Sequence, residues 1–393
     1  MNLFELESQF FFKTYKRIPL EIDRGEGCYL ISKDGQRYLD LFGGLAVNAL
    51  GYSHPKVIRA IRDQVHRYIH LSNFFLSEPQ LRLAECLLRH SKFQRLFFTN
   101  SGTEAIEGAI KICRKWGKRS GKTKIFGMTN GFNGRTMGAL SLMDKPNYRD
   151  GYEPFLPDCD HVEFNDVDDL HRKISQDCAA VFLELIQGEG GIVEASQQFV
   201  EELFRLREKF GFLVVADEIQ TGVGRTGKFF AFEHYDVLPD IVTLAKPIGG
   251  GLPLGAILGN DKVSDVLSPG MHGTTFGGNP VACAAGLAVL EEIANSGLLK
   301  HVTDLGDSLK SVFQDMRRDF PALISDVRGR GFMLGIELKK DGAPFVDKMR
   351  DRKILINCTS KTVLRFLPPF ILSKQEADRA IDALREVFES ETD

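Results

Sequence analysis

Short apolar segments alternate with helical patterns along most of this 393-residue chain, and this alternation narrows the possible folds sharply. Most of the segments are continuous apolar runs, as expected for strands that are covered on both faces. The predicted strands are Arg95–Thr99, Lys124–Thr129, Ala179–Ile186, Phe212–Asp217, Asp240–Leu244 and Leu254–Leu258. Strands and helices in alternation predict an α/β fold with a mainly parallel central sheet.

Helix signals complete the expected order of elements. Ser196 can cap a helix that Gly211 ends, and Ser373-x-x-Glu376 is a capping box that opens a final helix. Residues 281–320 are helical in pattern, and residues 326–338 and 354–367 have the pattern of strands. We therefore predict a large domain over residues 46–285 and a smaller α+β domain over residues 286–393, which the N-terminal segment 1–45 joins.

Composition and charge argue against several protein classes. The chain has 50 basic and 53 acidic residues, so it lacks the basic excess of a nucleic-acid binder. Its apolar runs are shorter than the ~18 residues of a membrane span, and its N-terminus lacks the pattern of a signal peptide. The seven cysteines are scattered without a C-x-x-C, and the histidines lack metal spacing. We expect no metal site, no membrane partner and a cytoplasmic location.

Glycine is the one residue type in clear surplus. Sixteen of the 38 glycines lie between Gly188 and Gly278. A local surplus without a collagen period predicts tight turns or close approach of the backbone to a ligand.

Polar residues follow three of the predicted strands, at the edge where open parallel sheets bind ligands. Ser101-x-x-Glu104 is a capping box, and small residues at a helix N-terminus make a phosphate site. Lys246 ends an apolar strand, where partial desolvation lowers a lysine pKa and frees a nucleophilic amine. Asp217 follows five apolar residues, and a buried carboxylate needs a partner.

Each of these features also has an ordinary structural interpretation. The capping box is compatible with any helix, the lysine with a side chain that extends to solvent, and the aspartate with an internal salt bridge. Their joint occurrence is more specific, because pyridoxal 5′-phosphate (PLP) enzymes need a phosphate site, a lysine that holds the cofactor and an acid at its ring nitrogen.

Nucleotide-binding motifs are incomplete in this chain. Residues 222–228 match a P-loop as far as the lysine, but Phe229 replaces the required Ser or Thr. The segments that begin at Gly188 and Gly329 lack the third glycine of a dinucleotide fingerprint. The sequence therefore does not support nucleotide hydrolysis or a dinucleotide fold.

A set of motifs together resembles the class III, fold type I PLP aminotransferases, from about Tyr15 to the final helix. The motifs that carry the resemblance are Ser101-Gly-Thr-Glu104, Gly131-Phe-Asn-Gly-Arg-Thr136, Ile186-Gln-Gly-Glu-Gly-Gly191, Asp217-Glu-Ile-Gln-Thr-Gly-Val-Gly-Arg-Thr-Gly227, Leu244-Ala-Lys246, Gly249-Gly-Gly-Leu-Pro-Leu-Gly255, His272-Gly-Thr-Thr-Phe-Gly-Gly-Asn-Pro280 and Leu364-Arg-Phe-Leu-Pro-Pro369. The resemblance implies PLP as cofactor and a homodimer with shared active sites.

The resemblance also implies a role for each cofactor residue. Lys246 is the implied Schiff-base lysine and proton shuttle, and Asp217 binds the ring nitrogen. The other implied cofactor contacts are Ser101, Gly102 and Thr103 to the phosphate, Phe132 stacked on the ring, Gln220 to the phenolic oxygen, and Thr275 to the phosphate of the other subunit.

The implied substrate residues are two arginines and two glutamates. Arg135 holds a carboxylate of an ornithine-type donor, and Arg365 holds the α-carboxylate of glutamate, since a guanidinium binds carboxylates bidentately. Glu189 neutralises Arg365 when the ω-amino substrate is bound, and Glu184 is assigned to substrate binding. These residues imply an ω-aminotransferase that uses an N-acylated ornithine, such as N-acetylornithine, and 2-oxoglutarate in arginine biosynthesis.

Four positions depart from the family pattern. The family usually has His at Asn133, Asn at Ile106, Pro at Leu185 and often Gly at Pro247. None of these departures removes a group that the chemistry needs, and Asn133 is the one expected near the cofactor.

Several alternative functions remain open. Among aminotransferases they are lysine-biosynthesis enzymes with a carrier-protein-bound substrate and enzymes specific for succinylornithine, ornithine or 4-aminobutyrate. A different class of function is a PLP mutase, which needs no added 2-oxo acid, and a third is a non-catalytic binding protein built on the same fold.

Overall fold

A seven-stranded sheet forms the centre of the computed structural model, which describes residues 3–391. Gly255–Gly259 is antiparallel to its two neighbours, and the other six strands are parallel. The strand order is Arg95–Thr99, Gly255–Gly259, Ile241–Leu244, Leu213–Asp217, Cys178–Leu183, Lys124–Met128 and Cys159–Val162. This sheet confirms the predicted α/β fold with a mainly parallel centre.

Both faces of the central sheet are buried. The helix Gly102–Lys118 packs Ala105, Ile106 and Ala109 on one face, together with strand residues such as Ile125 and Val215. A larger apolar cluster covers the opposite face. Burial on both faces explains why the central strands are continuous apolar runs.

Residues 3–391 also form three smaller sheets. One has the order Ile22–Glu26, Tyr29–Ser32, Arg37–Asp40 and Ile354–Leu355, and another has the antiparallel order Ile324–Arg330, Met333–Leu338, Val363–Phe366 and Asn357–Thr359. The third pairs Ile186–Gln187 with Val193–Glu194. The strand Arg37–Asp40 thus pairs with Ile354–Leu355 from the C-terminal part of the chain. The association of the N-terminal segment with the smaller domain stays a prediction.

The domain limits at residues 45 and 285 stay a prediction. Residues 1, 2, 392 and 393, at the outer ends of the predicted segment and the smaller domain, lie outside the described residues.

The helices follow the capping signals closely. Ser196 caps Gln197–Phe210, Gly211 ends that helix in the left-handed conformation, and Ser373 and Glu376 form a complete capping box. The α-helical segments are Leu3–Phe10, Gly43–Ala46, Pro55–Arg67, Glu78–Arg89, Gly102–Lys118, Met137–Ser141, Pro146–Arg149, Val167–Lys173, Gln197–Phe210, Pro280–Asn295, Leu298–Asp319, Ala343–Asp351 and Lys374–Glu389. The 3₁₀ turns are Ala231–His234, Lys246–Gly249 and Asp261–Val263.

Turns divide three segments that the sequence pattern joins. The helical stretch 281–320 is two helices, because Gly297 at φ 78° ends the first. Residues 326–338 form a hairpin and residues 354–367 form three short strands. Within residues 3–391 no single helix is long and apolar enough to cross a membrane; Pro280–Asn295 and Leu298–Asp319 reach that length and composition only as a pair bent by 67°.

Candidate active site

A cavity of about 430 Å³ opens at the carboxyl edge of the central sheet. The chain converges there because parallel strands place their C-terminal loops at one edge. Ten of the predicted site residues line it, namely Ser101, Gly102, Thr103, Phe132, Arg135, Glu184, Glu189, Asp217, Gln220 and Lys246. Arg365 reaches the same site through its ion pair with Glu189.

A helix N-terminus forms one end of the cavity. The Ser101 hydroxyl accepts a hydrogen bond from Glu104 N, while the Glu104 carboxylate accepts from Asn100 N at 2.7 Å and Asn100 Nδ2 at 2.9 Å. The N–H groups of the first helical turn, at Gly102 and Thr103, have no partner within the helix and carry its positive dipole. This end of the cavity suits a phosphate group.

Lys246 stands one residue beyond the strand Ile241–Leu244, after Ala245. It has φ 41°, a left-handed conformation that is strained for a residue with a side chain. Burial lowers the pKa of the Lys246 ammonium, and Arg365 lowers it further, while Glu189, Glu184 and Asp217 oppose the shift. The tight turn holds a desolvated amine at the cavity, as a nucleophilic lysine requires.

Asp217 is the last residue of the neighbouring strand in the sheet, Leu213–Asp217, and is 3 % exposed. Its Oδ1 accepts from Ile219 N at 3.1 Å and Thr243 Oγ1 at 3.3 Å, and Oδ2 lies 3.5 Å from Asn133 Nδ2. Burial raises the pKa of the Asp217 carboxyl. A buried carboxyl with these few donors can accept a further charged hydrogen bond, such as that of a protonated ring nitrogen.

Gln220 is short of one hydrogen bond. Its side chain is buried, and its Oε1 has no hydrogen-bond partner among residues 3–391. A Cβ on Gly188 would lie 2.3 Å from that oxygen, so only glycine allows the backbone to approach here. The orphaned carboxamide, Asp217, the lysine and the free helix end together fit PLP, with Phe132 on the cavity wall as the candidate for ring stacking.

The two predicted substrate arginines have different surroundings. Arg365 is 1 % exposed, and its Nη1 lies 2.6 Å from Glu189 Oε1. Burial raises the pKa of Glu189, but the charge and hydrogen bond of Arg365 outweigh this effect and the pKa is lowered. Arg135 is exposed, and its guanidinium lies 4.0 Å from the centre of the Tyr148 ring. One arginine is thus already neutralised and the other is open.

Glu184 joins two loops of the site. Its carboxylate accepts from Phe132 N at 2.8 Å and from Gly188 N at 3.0 Å. Burial, and then the Asp217 charge, raise the pKa of this carboxyl. These contacts position the loops that carry Phe132 and Glu189, and the predicted role in substrate binding stays a prediction.

Thr275 is the one predicted cofactor residue that lies elsewhere. It is exposed and lines a separate cavity of about 820 Å³. Asn73 and the neighbouring loop residues Thr274 and Gly277 line the same cavity. Asn73 Nδ2 holds this loop by donating to Thr274 O at 3.1 Å and Gly277 O at 3.2 Å. Within one chain Thr275 does not line the main cavity, and its contact with the phosphate of the other subunit stays a prediction.

The family departures separate into two groups. Asn133 lines the cavity and contacts Asp217, whereas Ile106 and Leu185 are buried core residues away from the cavity wall. Pro247 occupies the first turn of the 3₁₀ segment after Lys246, where proline is tolerated. Asn133 is therefore the departure with a direct contact to the chemistry.

Sequence reasoning missed Asn100, Tyr148 and Asn357. Asn100 binds the capping glutamate, Tyr148 stacks on Arg135, and Asn357 accepts from Arg365. A signal existed only for Asn100, which precedes the capping box. The other two contacts depend on a loop path and a strand register.

A buried acid beside the site predicts a pH-dependent stability. Glu218 is 1 % exposed and accepts from Thr221 Oγ1 at 2.6 Å and Phe232 N at 3.0 Å; burial raises its pKa to about 7. Because this folded value lies above the ordinary 4.5, the stabilising contribution is present below pH 4.5 and is lost as the pH rises towards 7.

We expect Glu218→Gln to remove roughly 3 kcal/mol of pH dependence from the free energy of unfolding, at 1.36 kcal/mol per pKa unit. The measurement is urea unfolding of the cofactor-free wild type and variant at pH 5 and pH 8. Relative to the wild type, the variant should have a higher free energy of unfolding at pH 8 than it has at pH 5. An equal difference at both pH values would contradict this assignment.

Comparison with known proteins agrees with the geometry. The sequence profile of the family described as aminotransferase class-III matches residues 10–388. An acetylornithine aminotransferase of Methanocaldococcus jannaschii is 43% identical and one of Aquifex aeolicus 41% identical, over 98% and 95% of this chain and 98% of each relative. The crystal structure of an ornithine aminotransferase from Toxoplasma gondii superposes with a TM-score of 0.94 at 30% identity, covering 99% of this chain and 94% of that one. The chain therefore belongs to the class-III aminotransferases, which are PLP-dependent enzymes of fold type I.

Proposed function

We propose that this chain transfers the δ-amino group of N-acetylornithine to 2-oxoglutarate, which yields N-acetylglutamate semialdehyde and glutamate in arginine biosynthesis. The observation that carries the proposal is the Arg365–Glu189 pair, whose Glu189 lines the same cavity as Lys246 and the open Arg135. The relatives named acetylornithine aminotransferase, at about 40% identity over nearly the full chain, support the same donor.

PLP, when bound, supplies an electron sink for the carbon that carries the amino group. Lys246 is placed to take the proton from that carbon and to return it. Burial lowers the pKa of its ammonium, so a larger fraction of the amine is neutral and able to accept a proton than for an exposed lysine. Asp217 would hold the proton on the ring nitrogen of the bound cofactor, and the helix start at Gly102 and Thr103 would bind its phosphate.

Two substrates of different charge use the same pocket. The donor presents a carboxylate to Arg135 and an uncharged chain near Arg365, whose charge Glu189 neutralises. An unpaired buried arginine beside an uncharged chain is unfavourable. 2-Oxoglutarate supplies a second carboxylate. Arg365 then releases the Glu189 side chain and binds this substrate carboxylate instead.

A homodimer completes the site in this proposal. Thr275 is exposed in the single chain, and so are the large apolar side chains of Phe74, Leu76 and Phe276, at 96 %, 88 % and 60 %. Exposed apolar groups of this size are typical of protein interfaces. A second copy would cover them and bring its Thr275 to the phosphate. The cytoplasmic location and the absence of nucleic-acid and membrane partners stay predictions.

The test is a half-reaction screen of the PLP-loaded protein. N-acetylornithine, succinylornithine, ornithine, lysine and 4-aminobutyrate are mixed with it separately, and the loss of the visible cofactor absorbance is timed. We expect N-acetylornithine to react fastest. A tenfold faster reaction with ornithine or 4-aminobutyrate would overturn the proposed donor, and turnover without an added 2-oxo acid would indicate a mutase.

A further inference from the structure

One short segment of the smaller sheet contacts both members of the Arg365–Glu189 pair. Asn357 Oδ1 accepts a hydrogen bond from Arg365 Nε at 3.0 Å. Thr359 Oγ1 and Ser360 Oγ each donate to the Glu189 carbonyl oxygen at 3.1 Å. Different residues of one short segment therefore hold the arginine by its side chain and the glutamate by its backbone.

Strand register fixes Asn357 beside Arg365. The strands Asn357–Thr359 and Val363–Phe366 are antiparallel, and Asn357 is the direct partner of Arg365. Directly opposite residues project to the same face of a sheet within contact distance. The turn between them is tight, with φ 49° at Ser360 and 66° at Lys361, so the register is not free to slip.

The backbone of Glu189 is held more firmly than its side chain. Lys145 Nζ donates to the same carbonyl at 2.9 Å, so three donors converge on one oxygen. The Glu189 side chain is 25 % exposed, while that of Arg365 is 1 % exposed. Exchange of partners at Arg365 can then proceed by rotation of the glutamate side chain alone, with the arginine and the loop backbone in place.

Arg365 needs a constant acceptor during that exchange. When Glu189 turns away, the buried guanidinium loses its carboxylate, and an unpaired buried charge is strongly unfavourable. Asn357 keeps Nε satisfied without neutralising the charge, because a carboxamide oxygen is an uncharged acceptor. It also occupies the Nε side of the guanidinium, which leaves the Nη1 end for an incoming carboxylate.

We propose that Asn357 is a positioning residue that holds Arg365 ready for the carboxylate of a dicarboxylate co-substrate. This inference rests on the proposed function, since it assumes that Arg365 changes partner between the two half-reactions. It adds a residue of the smaller sheet to those that determine the preference for a dicarboxylate acceptor.

The experiment measures binding of glutarate, which has both carboxylates of 2-oxoglutarate but no keto group, to the PLP-loaded protein by calorimetry. Asn357→Leu keeps the approximate shape and removes the acceptor. We expect its glutarate Kd and its KM for 2-oxoglutarate to rise about tenfold or more. Its kcat and its half-reaction rate with N-acetylornithine should stay within about threefold.

Thr362→Val is the matched control, because Thr362 lies in the same hairpin and its hydroxyl donates to Ser360 O at 3.4 Å, without a hydrogen bond to Glu189 or Arg365. It should bind glutarate like the wild type. Asn357→Asp is a second variant that keeps an acceptor and adds a charge that neutralises Arg365. It should also weaken glutarate binding about tenfold, with binding of pentanoate unchanged.

Four results would overturn the inference. The first three are wild-type glutarate affinity in both Asn357 variants, an equal loss in Thr362→Val, and an equal fall in both half-reactions of Asn357→Leu. The fourth is a wild-type protein that binds glutarate no better than pentanoate. A wild type that binds glutarate but does not react with N-acetylornithine would refute the proposed donor and leave the comparison of variants valid.

Discussion

Lys246→Ala is expected to reduce kcat by at least about 10⁴-fold, the upper range for one positioned acid–base group. The variant loses the desolvated amine at the cavity, which is both the attachment point of the cofactor and the group that moves the substrate proton. The visible absorbance of the lysine-bound cofactor should also disappear. Both quantities are measured on protein that has been dialysed against PLP.

Lys300→Ala is the control for this substitution. Lys300 lies on the surface, with a side chain that is 80 % exposed and pairs with Asp304. Its removal should leave kcat and the absorbance unchanged. Retained turnover in Lys246→Ala would disprove the assignment of Lys246, whereas loss of activity in both variants would point to an effect of purification or folding.

Asp217→Asn is expected to lower kcat about 10²–10³-fold, as for loss of one buried electrostatic group in an active site. The asparagine keeps the size of the side chain and removes the charge that would hold a proton on the ring nitrogen. Because Asp217 is 3 % exposed, solvent cannot replace that charge. Single-turnover rates with N-acetylornithine measure the effect without interference from product release.

Thr243→Val tests whether the carboxylate or its surroundings matters. Thr243 Oγ1 donates to Asp217 Oδ1 at 3.3 Å, so the valine removes one hydrogen bond and leaves the charge. We expect less than a tenfold fall in the same rate. If Asp217→Asn lowered the single-turnover rate no further than Thr243→Val does, the charge of Asp217 would have no special role.

The positions of the catalytic candidates were predictable because they follow recognisable strands. Lys246 and Asp217 each follow an apolar run that predicts a strand. Because parallel strands end at the same edge of a sheet, both side chains were expected at one cavity. The capping signal at Ser101 likewise placed a helix start beside them, although Glu104 binds Asn100 rather than completing the box on Ser101.

The glycine surplus has a physical explanation in the structure. A Cβ on Gly188 would collide with the Gln220 carboxamide, and one on Gly255 would lie 2.6 Å from Ser101 O. These glycines allow separate loops to meet around one cavity. Composition indicated close backbone approach, and the structure identifies the groups that are approached.

Contacts across the smaller sheet were not predictable from the pattern. Residues 354–367 read as strand throughout, but the turn at Ser360 and Lys361 folds Asn357 back onto Arg365. A shift of one residue in that register would put Asn357 on the opposite face. The stacking of Tyr148 on Arg135 depends in the same way on the path of a loop.

The sequence by itself determined the α/β architecture, the chemical groups and the family of this chain, because apolar periodicity, capping residues and motif spacing are local properties. The tertiary structure decided which groups are desolvated and which are paired. It brought Glu189 to Arg365, buried Asp217 and Glu218, and kept Thr275 outside the main cavity. Those outcomes depend on distances between segments far apart in the chain, and it is these distances that set charge, pKa and substrate preference.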